Sequence, residues 1–179
     1  MRDGEFEVSE LNSHPPVWVF AADRYFELTG DRPFLKKCLA AAKAQLEWFE
    51  QNRKCPAGGY FYRDILTNSY ESGIDQGVRF DVKSSVLLAC VDATAHVFAI
   101  ADFCAKWSAI LGEEDAAYKF LAAEIQKFIN MKLYDENTGW YYDEWDMADE
   151  DRMPTAFEGM WPMAVGAATR SAAKRVAEL

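Results

Sequence analysis

Between Tyr70 and Phe80 the chain reads YESGIDQGVRF: two acids, Glu71 and Asp75, bracket a serine, a glycine and an isoleucine, and an arginine follows at Arg79. A carboxylic acid that stays protonated near neutral pH can deliver a proton to a poor leaving group such as an acetal oxygen. A loop packed among aromatic residues raises a carboxyl pKa by desolvation, and a neighbouring carboxylate adds to the rise. Asp75 is the candidate proton donor. Glu71 is either its charged neighbour or a brace that hydrogen-bonds the loop backbone. Gly73 permits a close approach of backbone to ligand, or a turn with positive φ. Arg79 has the chemistry to clamp a carboxylate and fix the loop, and an ion pair is a simpler role for it than contact with substrate.

Such a loop needs elements to hold it. The segment HPPVWVFAADRYFELTGD starts a helix at its proline pair, where missing N–H groups cost nothing, and Gly30 closes it. Asp31 caps a second helix with Pro33 in its first turn, and Phe34, Cys38, Ala41, Leu46 and Phe49 fall roughly along one face. CPAGGYFYRD then predicts a glycine turn and a short extended segment. The pattern recurs: SSVLLACVDATAHVFAIADFCAKWSAILG reads as a long apolar helix ending at Gly112, EEDAAYKFLAAEIQKFINMKL as its amphipathic partner, and DENTGWYYDEWD as an aromatic loop. Gly30 aligns with Gly112, and GGYFYRD with TGWYYDE, both at an offset of about 80 residues. A third apolar helix is expected from near Phe157, in FEGMWPMAVGAAT. The unit is a buried helix, a more polar helix and an aromatic loop carrying acids. Helix pairs of this kind cannot bury their apolar faces alone, so they stack into a solenoid or close into a toroid.

Composition narrows the chemistry. The 179 residues are 50% hydrophobic and 15% aromatic, enough for one domain with a real core. With 19 Lys+Arg against 29 Asp+Glu the net charge is −10, which argues against nucleic acid or an anionic membrane as partner, since both ask for a basic face. A neutral substrate handled by carboxylates fits. The apolar runs are too short to span a bilayer, and MRDGEFEVSE lacks the apolar core of a signal peptide. Cys38, Cys55, Cys90 and Cys104 show no metal-ligand spacing, and three lie in apolar helical patterns as buried free thiols do. A reduced, cytoplasmic compartment is expected. His14 and His96 are the two imidazoles; no metal and no cofactor are expected from this set. His96 reads as a hydrogen-bonded core histidine, and His14 as a helix cap or a cavity-lining residue.

HPPVWVFAADRYFELTGDRPFL, YESGIDQGVRF, TGWYYD and FEGMWPMAVGAA together resemble the six-hairpin, (α/α)6-barrel glycosidases. Within them the similarity is to glycoside hydrolase family 63: processing α-glucosidases, glucosylglycerate and mannosylglycerate hydrolases, and more distantly trehalases. It runs from about Pro15 to Ala168. It implies an all-α fold of helical-hairpin repeats of an (α/α)6 toroid, incomplete in this chain, with residues 1–179 forming one partial catalytic domain. It implies Asp75 as general acid, with Gly73 and Ile74 lining a sugar subsite. Glu71, Arg79 and Trp161 are further candidates for substrate binding. The family usually continues the acid motif with small polar residues and Ser-Pro before the arginine, where this chain has Gln76-Gly77-Val78. Relatives invert configuration, so a second carboxylate activates water; in the family it is a glutamate near the C-terminal end of the barrel, outside this sequence.

Other residues carry weaker expectations. Glu158 falls near the inner mouth of the barrel. Trp161 belongs to either a subsite or the core. Tyr60, Tyr62, Trp140 and Tyr141 suit sugar stacking but more often pack. Asp143, Glu144 and Asp146 are the local acids after the second aromatic loop, and the acidic run from Asp149 to Asp151 suits a solvated loop. The expected function is part of an inverting α-glycosidase of the α-glucosidase or mannosidase kind. The alternative is an inactive helical carbohydrate-binding or interaction remnant. A sugar epimerase of the same architecture would want histidines placed for proton abstraction, which two imidazoles support poorly. The expected partners are a carbohydrate substrate and a second copy of the chain across the open barrel edge, with neither nucleic acid nor membrane.

Overall fold

Local signals along the chain account for most of the helix boundaries. The structure is a computed structural model and describes residues 11–66, 70–74, 77, 87–145, 147 and 155–179. Helix α1, Trp18–Thr29, follows the proline pair and ends at Gly30, whose φ of 66° is left-handed and whose N–H donates to the Phe26 carbonyl. Asp31 accepts the Phe34 N–H at 3.0 Å and starts α2, Arg32–Asn52, with Pro33 in its first turn. Helix α2 buries Leu35, Cys38, Leu39, Ala42, Leu46 and Phe49. Ala41, expected on that face, is exposed: the stripe runs through Ala42, four residues before Leu46.

Helix α3, Val91–Leu111, buries every residue from Val91 to Ala101 and ends at Gly112, φ 78°. It touches α1, α2 and the later helices Ala116–Lys132 and Trp161–Ala164, which explains why its sequence is apolar on all sides. Its start is later than the sequence suggests. The N–H groups of Ala89, Cys90 and Val91 are taken by the Glu144 carboxylate, the Tyr60 carbonyl and the Asp143 carboxylate, so Leu87–Cys90 stay outside the helix. Helix α4, Ala116–Lys132, buries Ala122, Ile125 and Ile129 and leaves its other side to solvent.

The two aromatic loops are related as the repeat predicts. In the first, Lys54 and Tyr60 form a single antiparallel bridge; in the second, β1, Tyr134–Asp135, pairs with β2, Trp140–Tyr141. Tyr60, Phe61, Tyr62, Trp140, Tyr141 and Tyr142 are all buried, so these aromatics pack rather than face solvent. The third apolar helix is much shorter than expected. A 3₁₀ turn, Phe157–Met160, leads into the single turn of α5, Trp161–Ala164, and Gly166 with φ 79° follows it. Thr169 accepts the Ala172 N–H and starts α6, Arg170–Val176. Polar contacts tie the helices: Asp23 of α1 accepts from Lys106 Nζ at 2.6 Å and Trp107 Nε1 at 2.9 Å on α3. All four cysteines are buried and free, and burial pushes the Cys55 and Cys104 thiols up to about 12, where a thiol is inert. Among the described residues no helix is long and apolar enough to cross a membrane.

Candidate active site

The turn Tyr70–Ile74 is held from below by two buried carboxylates. Tyr70 adopts φ 54°, unusual for a side-chain-bearing residue, and Gly73 φ 76°; the Gly73 N–H donates to the Tyr70 carbonyl at 3.2 Å. The 3₁₀ turn Arg63–Ile65 presents Asp64, whose two carboxylate oxygens accept the N–H groups of Glu71, at 2.6 Å, and Ser72, at 2.9 Å. The Glu71 side chain then reaches back to accept the N–H groups of Ser13, at 2.5 Å, and Arg63, at 2.6 Å. Arg53, just past the end of α2, adds its Nε at 3.0 Å and one terminal nitrogen at 2.8 Å. The same guanidinium stacks over the Trp48 ring, 4.6 Å from its centroid.

Burial pushes the Glu71 carboxyl upward, but Arg53 and the N–H groups of Arg63 and Ser13 outweigh it and hold the group below its ordinary range. A carboxylate has about four acceptor positions, and protein donors occupy those of Glu71. Of the two roles open to Glu71 in the sequence, this geometry is that of the brace. Gly73 is exposed, and a Cβ there would stand 3.9 Å from Pro15, so the turn lies against the start of the α1 segment. Asp75 and Arg79, with the acidic run at Asp149–Asp151, lie outside the described residues.

The far side of the loop meets the Phe157–Met160 turn. A Cβ built on Gly77 would be 2.8 Å from Glu158 Oε1 and 3.2 Å from Ile74 Cγ2, so Glu158 rests against the backbone just beyond Asp75 in sequence. Glu158 is itself buried. Gly159 has no space for a side chain, because a Cβ would collide with the Trp140 indole and the Tyr141 carbonyl. Trp161 is half-buried and meets His96 edge to face at 4.2 Å between centroids. His96 Nδ1 shares a 2.8 Å hydrogen bond with Tyr62 Oη. Ile74, Gly77, Glu158, Trp161, His96 and Tyr62 thus link the acid loop, α3 and α5. His14 is exposed, and its carbonyl accepts from Gln45 at 3.3 Å.

One group among the described residues has metal-ligand geometry: Cys90, Asp92 and Asp143 are buried with their ligand atoms within 4.8 Å of one another. Each also has a local task. Asp143 accepts the Val91 N–H at 2.7 Å, Asp92 the Ala93 N–H at 2.7 Å, and Cys90 Sγ the Tyr62 N–H at 3.4 Å. Two acids here serve the positive end of α3.

Sequence reasoning did not single out Arg53 or Asp64. The repeat held a signal for Asp64. It aligns with Glu144, and both take backbone N–H groups of a later segment: Asp64 those of Glu71 and Ser72, Glu144 that of Ala89.

Helical hairpins around a loop of acids and aromatics agree with what the chain matches. The family model described as mannosylglycerate hydrolase MGH1-like glycoside hydrolase domain covers residues 2–179. The chain belongs to the MGH1-like glycoside hydrolase family. No curated protein sequence matches it. Among solved structures, it is similar to the GH63 mannosylglycerate hydrolase from Thermus thermophilus in complex with glucose, with TM-score 0.67 and 14% identity over 99% of this chain and 53% of that one. An uncharacterized conserved protein from the same organism matches with TM-score 0.67 and 14% identity over 99% of this chain and 56% of that one. At this identity the likeness shows the fold: all-α and like a fragment of a GH63 barrel. The MGH1-like chain spans about half the length of these relatives.

Proposed function

We propose that this MGH1-like chain contributes the acid side of an inverting α-glycosidase acting on α-glucosides or α-mannosides, mannosylglycerate among them, with Asp75 as general acid. The observation that carries the reading is the double brace on the loop that runs into Asp75: Asp64 holds its backbone, and Glu71 locks it to Arg53, Arg63 and Ser13. A proton donor must be held near its target to contribute to the rate, and a fixed backbone does that. Asp75 protonates the glycosidic oxygen as the bond to the anomeric carbon breaks, and water enters from the opposite face. The base that activates this water belongs to the part of the barrel not spanned by these residues, at the separation of about 6.5–9.5 Å typical of inverting enzymes. The Gly73–Ile74 backbone and Trp161 line the sugar site, and Arg79 steadies the loop.

Four buried free thiols support a reducing compartment such as the cytoplasm. We assign a second copy of the chain as partner in solution, because Leu28 of α1 and Val17 at its N-cap are exposed, with the Tyr25 ring partly exposed beside them.

Sugar release from α-glucosides and α-mannosides, followed by NMR of the anomeric proton, tests the reaction. The natural chain is expected to release the inverted sugar, and Asp75→Asn to fall to background. Undiminished release by Asp75→Asn would overturn the assignment. No release from either protein, with sugar binding intact, would favour the non-catalytic carbohydrate-binding reading.

A further inference from the structure

Six acids among the described residues are buried, and five of them have described partners. Asp23 is held by Lys106 and Trp107, Asp64 by two backbone N–H groups, Glu71 by Arg53, Asp92 by the Ala93 N–H and Asp143 by the Val91 N–H. Glu158 is the sixth. It is 5% exposed and makes no hydrogen bond or ion pair among the described residues. The turn that carries it is inverted with respect to burial energetics: Phe157 is 63% and Met160 37% exposed, while the carboxylate between them points inward. Local rules broken without a compensating contact mark functional positions.

The direction of the side chain adds the second observation. Glu158 Oε1 rests against Gly77 and Ile74, on the loop that carries the proposed acid. Gly77 leaves the room that the carboxylate occupies, since a Cβ would lie 2.8 Å from it. A buried acceptor in this position has capacity for donors from a ligand. Among the described residues, Glu158 is not in the one group with metal-ligand geometry, and no basic side chain pairs with it. Neutral hydroxyl donors fit, and a carboxylate accepts two of them side by side from a vicinal diol.

We propose that Glu158 is a sugar-binding residue that accepts hydroxyl hydrogens of a pyranose beside Ile74 and Gly77. This rests on the glycosidase reading for its ligand class, but not on turnover.

The test pairs equilibrium binding of methyl α-glucoside and methyl α-mannoside, by ligand-observed NMR, with thermal melting, for the natural chain, Glu158→Gln and Glu158→Ala. Both variants are expected to lose about tenfold or more in affinity, the usual scale for a hydrogen bond to a charged group. Melting of Glu158→Gln is expected at or near the natural temperature, because glutamine keeps the shape of the side chain and no described hydrogen bond of Glu158 is lost. Unchanged affinity in both variants would overturn the inference and leave the glycosidase reading standing. A lower melting temperature with intact affinity would also overturn it, by making Glu158 structural. Loss of binding in the variants of a chain that binds sugar but releases none would uphold the inference against the hydrolytic reading. A natural chain that binds neither sugar would sink both.

Discussion

The Arg53–Glu71 pair concentrates more constraint than any other described contact near the acid loop. Both side chains are buried, 7% and 0% exposed, and Arg53 joins the N–H groups of Ser13 and Arg63 on one carboxylate. Removing one partner of a buried pair leaves the other charge without compensation, at a cost of about 3–5 kcal/mol. Glu71→Gln is therefore expected to lower the melting temperature by roughly 10 °C in a chain of this size, measured by calorimetry. A shift within experimental scatter would remove the brace from the account. The same pair sets a pH dependence. Because the folded Glu71 carboxyl lies below its unfolded value, its stabilisation is fully present above the unfolded carboxylate range of about 4.3 and is lost as pH falls from there through the folded value. Glu71→Gln should flatten that acid limb. An unchanged acid limb in the variant would show that other carboxyls control it.

At the scale of elements, glycines separate backbone strain from packing. Gly59 and Gly112 are both left-handed, φ 73° and 78°. Around Gly112 a Cβ would meet nothing within 4 Å, whereas at Gly59 it would lie 2.6 Å from Phe128 and 2.7 Å from Ala89. Gly112→Ala is expected to cost about 1–2 kcal/mol, the penalty of a left-handed residue with a Cβ. Gly59→Ala should cost clearly more, since it also pushes the first aromatic loop off Ala89 and α4. Denaturant melts of the two variants compare them directly, and equal losses would refute the packing argument. The same contrast explains what the sequence discloses. Gly30, Asp31 and Gly112 act on neighbours within a few residues, so α1, α2 and the end of α3 are legible. The start of α3 is not, because Tyr60, Asp143 and Glu144 claim the N–H groups around it from distant positions. Arg53 and the inward direction of Glu158 are hidden for the same reason: their roles depend on Glu71 and Gly77, far away in the chain.

For the whole molecule, hydrophobic periodicity shows the helix pairing but not what lies against the outer sides. Helix α1 packs on α2 and α3; Val17 at its N-cap, Tyr25 and Leu28 are 45%, 45% and 70% exposed, and the Tyr25 ring also meets Phe34 of α2 edge to face at 4.6 Å between centroids. In sequence these fall eight and three residues apart, close enough to helical periodicity to line one stripe. A chain in water rarely leaves such a stripe open, and the proposed second copy would cover it. Light scattering is expected to show self-association of the natural chain, with little binding of a hydrophobic dye. Val17→Glu with Leu28→Lys should shift it to monomer without lowering the melting temperature, because neither side chain belongs to the core. A natural chain that stays monomeric at every concentration and binds no dye would rule the partner out. A double variant that associates as before would move the interface elsewhere, to the exposed Phe157, Met160 and Leu179 at the opposite end of the element order.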